Sequence, residues 1–288
     1  MQDTKDKIAP PPRDYGRRES VRPSLGSSFA AAVRPVTALT QVNTGSEGLT
    51  VGEVTIKVGD FQLPAYRAMP AGQKNLPVVL VVCEIFGVHE HIADVARRLA
   101  HQGYLAIAPE LFERQGDAGS YADIPKLIAE VVSRARDAQV LADLDACVAW
   151  AATQGGDTRR LGITGFCWGG RIVWIYAAHN PALTAGVAWY GPVARAYAAG
   201  DKTAIELAPR IKAPMLGLYG ADDGGIPNDT LEQMRAALKA AGNTGSEIVL
   251  YPDTPHAFYA DYRPSYRKEQ ADDGWRRCLA WLETHGVA

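Results

Sequence analysis

The chain has 288 residues, a length that suits one large domain or two small ones. Hydrophobic residues make up 47% and charged residues 22%, the balance of a globular protein with a sizeable core. The formal net charge of -2 argues against binding to nucleic acid or to an anionic membrane, and no apolar run reaches the roughly 18 residues that a transmembrane helix needs.

The N-terminal part of the chain differs in composition from the rest. Residues 1–36 are rich in Pro, Arg, Asp and Ser, and they lack the apolar core of a secretory signal. We interpret residues 1–48 as a polar arm and residues 49–288 as one domain. This arm is expected either to be loosely ordered or to wrap the domain or a second subunit, and the apolar residues at 29–33 favour wrapping.

From residue 49 onward, segments typical of strands and helices alternate. Residues 51–58 and 61–68 flank Gly59-Asp60, which predicts a hairpin at the edge of a sheet. Residues 77–83 form a continuous apolar run, as expected of a strand that is buried on both faces. Further strands are predicted at residues 104–108, 161–166, 185–190, 215–219 and 246–251. Helices are predicted at residues 91–102, 124–133, 135–153, 168–179, 229–241 and 265–285.

This alternation predicts an α/β fold with a doubly wound, mostly parallel sheet and helices on both faces. In such sheets, sites lie beyond the carboxyl ends of the strands. We interpret residues 193–210 as an insertion near the mouth of such a site.

The pattern Gly165-x-Cys167-x-Gly169 lies between a predicted strand and a predicted helix. It is the nucleophile-elbow pattern of α/β-hydrolases with Cys in the place of Ser. A tight turn there needs glycine on both sides, and it places the sulfur at a helix N-terminus, where the thiolate is stabilised. The structural alternative is that Cys167 is a small buried apolar residue.

A cysteine nucleophile needs a base and a residue that orients the base. Of the six histidines, His256 follows a late strand in a loop, so it is the candidate base. The candidate acid follows the preceding strand, where Asp223 is chosen and Asp222 is the second choice. A loop histidine bound to the backbone and a solvated turn aspartate are the structural alternatives.

Glu84 follows the buried run at residues 77–83, so it is expected on the same rim as Cys167. A carboxylate there needs a partner, and it can accept or hold a thiol proton. A structural salt bridge is the alternative interpretation. The backbone N–H groups of Ile85 and Trp168 are the candidate oxyanion-hole donors.

The four cysteines, at positions 83, 147, 167 and 278, form no CxxC pair. Their spacing argues against a zinc site and a disulfide framework, and it favours a reducing, cytoplasmic location. It also leaves no resolving cysteine close to Cys167, which argues against a redox-sensing thiol.

These motifs together resemble the dienelactone hydrolase (carboxymethylenebutenolidase) family of α/β-hydrolases over about residues 50–285. The motifs that carry the resemblance are Glu84-Ile-Phe-Gly-Val88, Pro109-Glu110-Leu-Phe, Gly165-Phe-Cys-Trp-Gly-Gly170, Asp223-Gly-Gly-Ile-Pro227 and His256-Ala-Phe258. The resemblance implies a triad of Cys167, Asp223 and His256, and it implies that Glu84 pairs with the resting thiol and gives way when substrate binds.

Family members that cleave dienelactone hold the substrate carboxylate with arginines, one of which follows the catalytic histidine closely. This sequence has Ala260 where that arginine is expected, and Arg263 is near but displaced. The second arginine has no convincing counterpart in residues 114–135. The candidate substrate-binding residues are Arg114, Phe258 and Arg263, although Arg114 does not align convincingly with the family's second arginine.

We expect a cysteine-dependent hydrolase of lactones or small carboxylic esters that acts through an acyl-thioester as a monomer or homodimer. No metal or organic cofactor is expected. The alternatives are a carboxylesterase or aryl esterase of broader specificity, and a non-catalytic binding protein with the same fold.

Overall fold

The computed structural model describes residues 42–288, whose strands form a single eight-stranded sheet in the order β1-β2-β4-β3-β5-β6-β7-β8. The strands are β1 (Leu49–Val58), β2 (Phe61–Pro70), β3 (Leu76–Val82), β4 (Leu105–Pro109), β5 (Gly156–Phe166), β6 (Ala185–Trp189), β7 (Met215–Gly220) and β8 (Glu247–Tyr251). β1 and β2 form an antiparallel hairpin at one edge, so the predicted edge hairpin is confirmed.

β2 pairs antiparallel with β4, and every further pairing in the sheet is parallel. The central strands β3, β4 and β6 are buried at every position, as the continuous apolar run at residues 77–83 predicts. The predicted mostly parallel sheet is thus confirmed.

The helices are α1 (Glu90–His101), α2 (Ile124–Glu130), α3 (Asp137–Thr153), α4 (Trp168–His179), α5 (Ala204–Leu207), α6 (Asn228–Ala240) and α7 (Lys268–Thr284). The chain runs from β3 to β4 in one direction across the sheet and then crosses back to β5 and onward to β8. Because parallel crossovers are right-handed, this reversal places α1 and α4 on opposite faces, which makes the sheet doubly wound. No helix of residues 42–288 is both long and apolar enough to cross a membrane.

Three predicted boundaries differ from the structure by three residues or more. β5 begins at Gly156 rather than at residue 161, because residues 156–157 pair with Leu76 and Pro77 before a register shift. α2 ends at Glu130, and a separate 3-10 turn follows at Val132–Arg134. α7 begins at Lys268 rather than at residue 265, since the chain before it forms turns that contact the site.

Residues 1–41, including the predicted docking segment at 29–33, lie outside the described residues. The end of the predicted arm is described, and it is bound to the domain. The Val42 N–H donates to Asp261 Oδ2 at 2.8 Å, and the Thr44 N–H donates to Asp94 Oδ1 at 2.5 Å. Arg97 Nε donates to the Thr44 carbonyl at 2.7 Å. Residues 42–44 are therefore hydrogen-bonded to α1 and to the loop that contains Asp261.

We expect this attachment to stabilise the fold. A chain that starts at residue 46 loses these hydrogen bonds, whereas one that starts at residue 42 keeps them. The loss should reduce the free energy of unfolding by about 2 kcal/mol, or roughly 4–8 °C in Tm. Differential scanning calorimetry of both truncations checks this expectation. Equal Tm values would show that the contacts of residues 42–45 contribute no stability.

Candidate active site

Cys167 lies between the end of β5 and the start of α4, in a turn with φ of 56° and ψ of -116°. Positive φ is strained for a residue with a side chain. Its N–H donates to the Trp189 carbonyl at 3.0 Å, and its carbonyl accepts from the Arg171 N–H at 3.1 Å. A Cβ at position 169 would lie 2.4 Å from the Cys83 carbonyl oxygen, so only glycine fits there. The structure therefore forms the predicted elbow.

The structure brings His256 and Asp223 together although they are 33 residues apart. His256 Nδ1–H donates to Asp223 Oδ2 at 2.5 Å, with both side chains buried. Asp223 also accepts from the Gly225 N–H through Oδ1 at 2.9 Å, which fixes the carboxylate. The second-choice acid, Asp222, is exposed, and its N–H is bound to the Thr254 carbonyl.

His256 also interacts with Cys167. Burial alone would lower the pKa of His256, but the charges of Cys167 and Asp223 and its hydrogen bonds to both raise the pKa to about 10. Both Cys167 and His256 are only 1% exposed, so water screens this interaction little. The arrangement therefore favours an imidazolium at position 256, with Asp223 holding the ring.

Glu84 lies beyond the carboxyl end of β3, beside the elbow. β3 pairs with β5, with Val82 opposite Gly165, so Glu84 and Cys167 each follow the paired residues by two positions. Glu84 is 1% exposed, and its Oε2 accepts a hydrogen bond from Tyr262 at 2.5 Å and one from Arg263 at 3.3 Å. Burial alone would raise the pKa of Glu84, but Arg263, His89 and Tyr262 hold it well below its usual value.

The model of the dienelactone hydrolase family matches residues 63–286 of this chain. The chain belongs to the dienelactone hydrolase family. A protein of Methylorubrum extorquens that is assigned as a carboxymethylenebutenolidase is 56% identical over 274 residues, covering 94% of each chain. One of Escherichia coli with the same assignment is 52% identical, covering 90% of this chain and 96% of its own.

A crystal structure from Klebsiella pneumoniae, assigned as a dienelactone hydrolase, is 57% identical and has a TM-score of 0.79. It covers 82% of this chain and 98% of its own. These similarities confirm the predicted α/β-hydrolase fold and the predicted class of carboxylic ester hydrolase.

In this dienelactone hydrolase family member, the motif Pro109-Glu110-Leu-Phe packs against the two segments that contain the candidate oxyanion donors. The Phe112 and Trp168 rings pack at 4.5 Å between centroids. A Cβ at position 87 would lie 2.6 Å from a Glu110 carboxylate oxygen, so Glu110 packs closely against the loop that begins at Glu84. Ile85 is buried in this loop, and Trp168 is the first residue of α4, where backbone N–H groups have no intrahelical acceptor.

The three candidate substrate-binding residues of this family member have different surroundings. Arg263 is buried against Glu84 through Nη2, while its Nε and Nη1 have no hydrogen-bond partner among the described residues. Arg114 instead makes two hydrogen bonds to Asp143, at 2.5 and 2.7 Å, and lies over the Phe61 ring. Phe258 is fully buried among Trp189, Tyr190 and Tyr251.

Four further residues near the site were missed by the sequence analysis. Tyr262 and His89 contact Glu84, and the Tyr190 ring packs on the His256 ring at 5.1 Å. Burial and the charge of Cys167 raise the pKa of Tyr197, which lies in the predicted insertion. Only His89 gave a sequence signal, because it directly follows the motif that contains Glu84.

Proposed function

We propose that the chain hydrolyses lactones or small carboxylic esters with Cys167 as the nucleophile. The observation that carries this proposal is the buried Asp223–His256 pair, whose imidazole interacts with the sulfur at the elbow. The thiolate attacks the carbonyl carbon and forms a C–S bond, and the oxygen becomes an oxyanion. The Ile85 and Trp168 N–H groups are the proposed oxyanion donors.

The proposed oxyanion then collapses, the C–O bond to the leaving group breaks, and the proton of His256 passes to the leaving oxygen. In the thioester the sulfur carries no charge, so one cause of the raised His256 pKa is removed. His256 can then act as a base. It takes a proton from water, which attacks the thioester and releases the acid and the thiolate.

Trapping the intermediate tests this proposal. Rapid acid quench during turnover of an activated ester should leave one acyl group on the protein, and peptide mass spectrometry should place it on Cys167. An acyl group on another residue, or none during a kinetic burst, would contradict the proposed nucleophile.

The pH dependence of acylation should reflect the raised pKa of His256. An alkyl ester has a poor leaving group that needs the imidazolium proton, which His256 holds up to about pH 10. We expect single-turnover acylation to continue through neutral and mildly alkaline pH and to fall near pH 10. Stopped-flow measurements check this, and a fall near the ordinary histidine pKa of about 6.5 would contradict it.

We also propose that Arg263 recognises a substrate carboxylate, because its Nε and Nη1 are buried without a partner among the described residues. A carboxylated lactone should then have a kcat/KM roughly 10–100-fold above that of its analogue without the carboxylate. Arg263→Gln should remove this preference. Arg114→Gln should keep it, since Arg114 is bound to Asp143. An unchanged preference in R263Q would show that another residue binds the carboxylate, whereas no preference in the unmodified protein would favour the broader esterase alternative.

The cysteines support the proposal of a reducing, cytoplasmic location. All four are free and buried, which suits a compartment where thiols stay reduced.

A further inference from the structure

Tyr190 directly follows β6, beside the elbow, and its backbone is strained. Its φ of 38° lies in the left-handed region, which is unfavourable for a residue with a side chain. Hydrogen bonds on either side fix this conformation: the Trp189 carbonyl accepts from the Cys167 N–H at 3.0 Å. The Gly191 carbonyl accepts from the Tyr219 hydroxyl at 2.9 Å. Strain of this kind clusters at active sites, where it holds a side chain in a functional position.

The side chain of Tyr190 is fully buried against the loop that contains His256. Its ring packs on the His256 ring at 5.1 Å and on the Phe258 ring at 5.4 Å between centroids. The hydroxyl is buried too, and it has no hydrogen-bond partner among the residues that the structure describes. A buried hydroxyl without a partner costs free energy. The Tyr190 hydroxyl is therefore suited to binding a substrate rather than to stabilising the fold.

Arg263 presents a second set of unpaired donors in the same region. Its Nε and Nη1 are buried without a partner within residues 42–288, while its Nη2 donates to Glu84 at 3.3 Å. Both charges act on Tyr190: burial and then Glu84 raise the pKa of Tyr190, and Arg263 lowers it less. The resulting pKa is well above the usual value. The hydroxyl thus lies within electrostatic reach of Arg263 and stays protonated as a donor.

A substrate carboxylate at Arg263 needs more than the guanidinium. Arg263 carries one positive charge and already pairs with Glu84, so a second carboxylate there would bring two negative charges to one cation. A neutral donor strengthens the binding of a carboxylate without a change in charge, because hydrogen bonds to ionised groups are strong. The Tyr262 hydroxyl already donates to Glu84, whereas the Tyr190 hydroxyl is unpaired among the described residues.

We propose that Tyr190 binds the substrate carboxylate together with Arg263: its hydroxyl donates a hydrogen bond to a carboxylate oxygen, and Arg263 supplies the positive charge. This inference rests on the proposed function and on the role of Arg263 in it. The Tyr190 ring also contacts His256, so the bound carboxylate lies only a few bonds from the scissile carbonyl. The inferred substrate class is a small lactone or ester with a free carboxylate close to its reacting carbonyl.

Tyr190→Phe tests this inference, because phenylalanine keeps the ring on His256 and removes only the hydroxyl. For a carboxylated lactone, Y190F should lower kcat/KM roughly tenfold, mainly through a higher KM. For the analogue without the carboxylate, kcat/KM should stay near that of the unmodified protein. Unchanged kcat/KM for the carboxylated lactone would overturn the inference. An equal loss with both lactones would overturn it too, since the hydroxyl would then not recognise the carboxylate.

Tyr251→Phe is the matched control. The Tyr251 ring also packs on Phe258, at 5.3 Å, but its hydroxyl donates to Asp273 at 2.7 Å. Y251F should keep the preference for the carboxylated lactone and lower Tm, because a hydrogen bond of the fold is lost. Y190F should keep or raise Tm, because its hydroxyl has no such bond to lose. A Y190F protein that loses as much Tm as Y251F, or that does not fold, would refute the proposal.

The proposed function and this inference fail separately. If Cys167 carries no acyl group during turnover, the proposed nucleophile fails. If the unmodified protein shows no preference for the carboxylated lactone, the role of Arg263 fails, and that of Tyr190 fails with it. If the preference is present, is lost in R263Q and persists unchanged in Y190F, only the role of Tyr190 fails.

Discussion

Replacing Cys167 by alanine should lower kcat/KM for an activated ester by roughly four to six orders of magnitude, as loss of a nucleophile does in hydrolases with a triad. The fold should persist, because the change removes a single sulfur atom from a turn held by backbone hydrogen bonds and closely packed glycines. Steady-state kinetics and circular dichroism check both expectations together.

Cys147→Ala is the matched control for this variant. Cys147 is also a buried free cysteine, but it lies on α3, and burial raises the pKa of its thiol. Its loss should leave kcat/KM close to that of the unmodified protein. Comparable activity of C167A and C147A would eliminate Cys167 as the nucleophile. Cys167→Ser should also be much slower than the unmodified protein, because an alkoxide forms less readily than a thiolate at neutral pH.

The fold was predictable because its signals are local. The apolar run at residues 77–83 and the alternating hairpin at 51–68 each reflect the burial of one strand, and both match the structure. The boundary errors occur where pairing with a distant segment determines where a strand begins. β5 extends to Gly156 because Leu76 and Pro77 offer it a partner, and no property of residues 156–160 alone indicates that pairing.

The site residues likewise fall into two groups: those that local motifs predict and those that depend on tertiary packing. Cys167 and His256 follow parallel strands in recognisable motifs, so both are expected at the carboxyl ends of the strands. The cluster around Glu84 was not predictable, because Tyr262 is 178 residues away in the sequence. Tyr262 also lies in a turn region before α7, and the last residues of that region were predicted to be helical. A tyrosine has no motif that distinguishes a hydrogen bond to a buried carboxylate from ordinary packing. Such contacts depend on how distant loops pack.

Asp223→Asn should lower kcat by roughly four orders of magnitude, the effect of this change in a well-studied serine triad. The Asp223 carboxylate accepts the Nδ1 proton of His256, so Nε2 is directed to the sulfur. An asparagine amide that presents its NH₂ group favours the opposite tautomer. It also removes a charge that raises the pKa of His256, so the imidazolium form of His256 should become less stable.

Asp222→Asn is the control for this prediction, because the neighbouring carboxylate is exposed. D222N should retain kcat, while D223N should lose it and should titrate His256 at lower pH by NMR. The raised pKa of His256 also determines how the stability of the fold depends on pH. The stabilisation by protonated His256 is fully present below its unfolded pKa of about 6.5. This contribution is lost as the pH rises through about 10. D223N should therefore lose more stability at neutral pH than at strongly alkaline pH. Equal effects of D222N and D223N on kcat would show that the acid of the triad is assigned to the wrong residue.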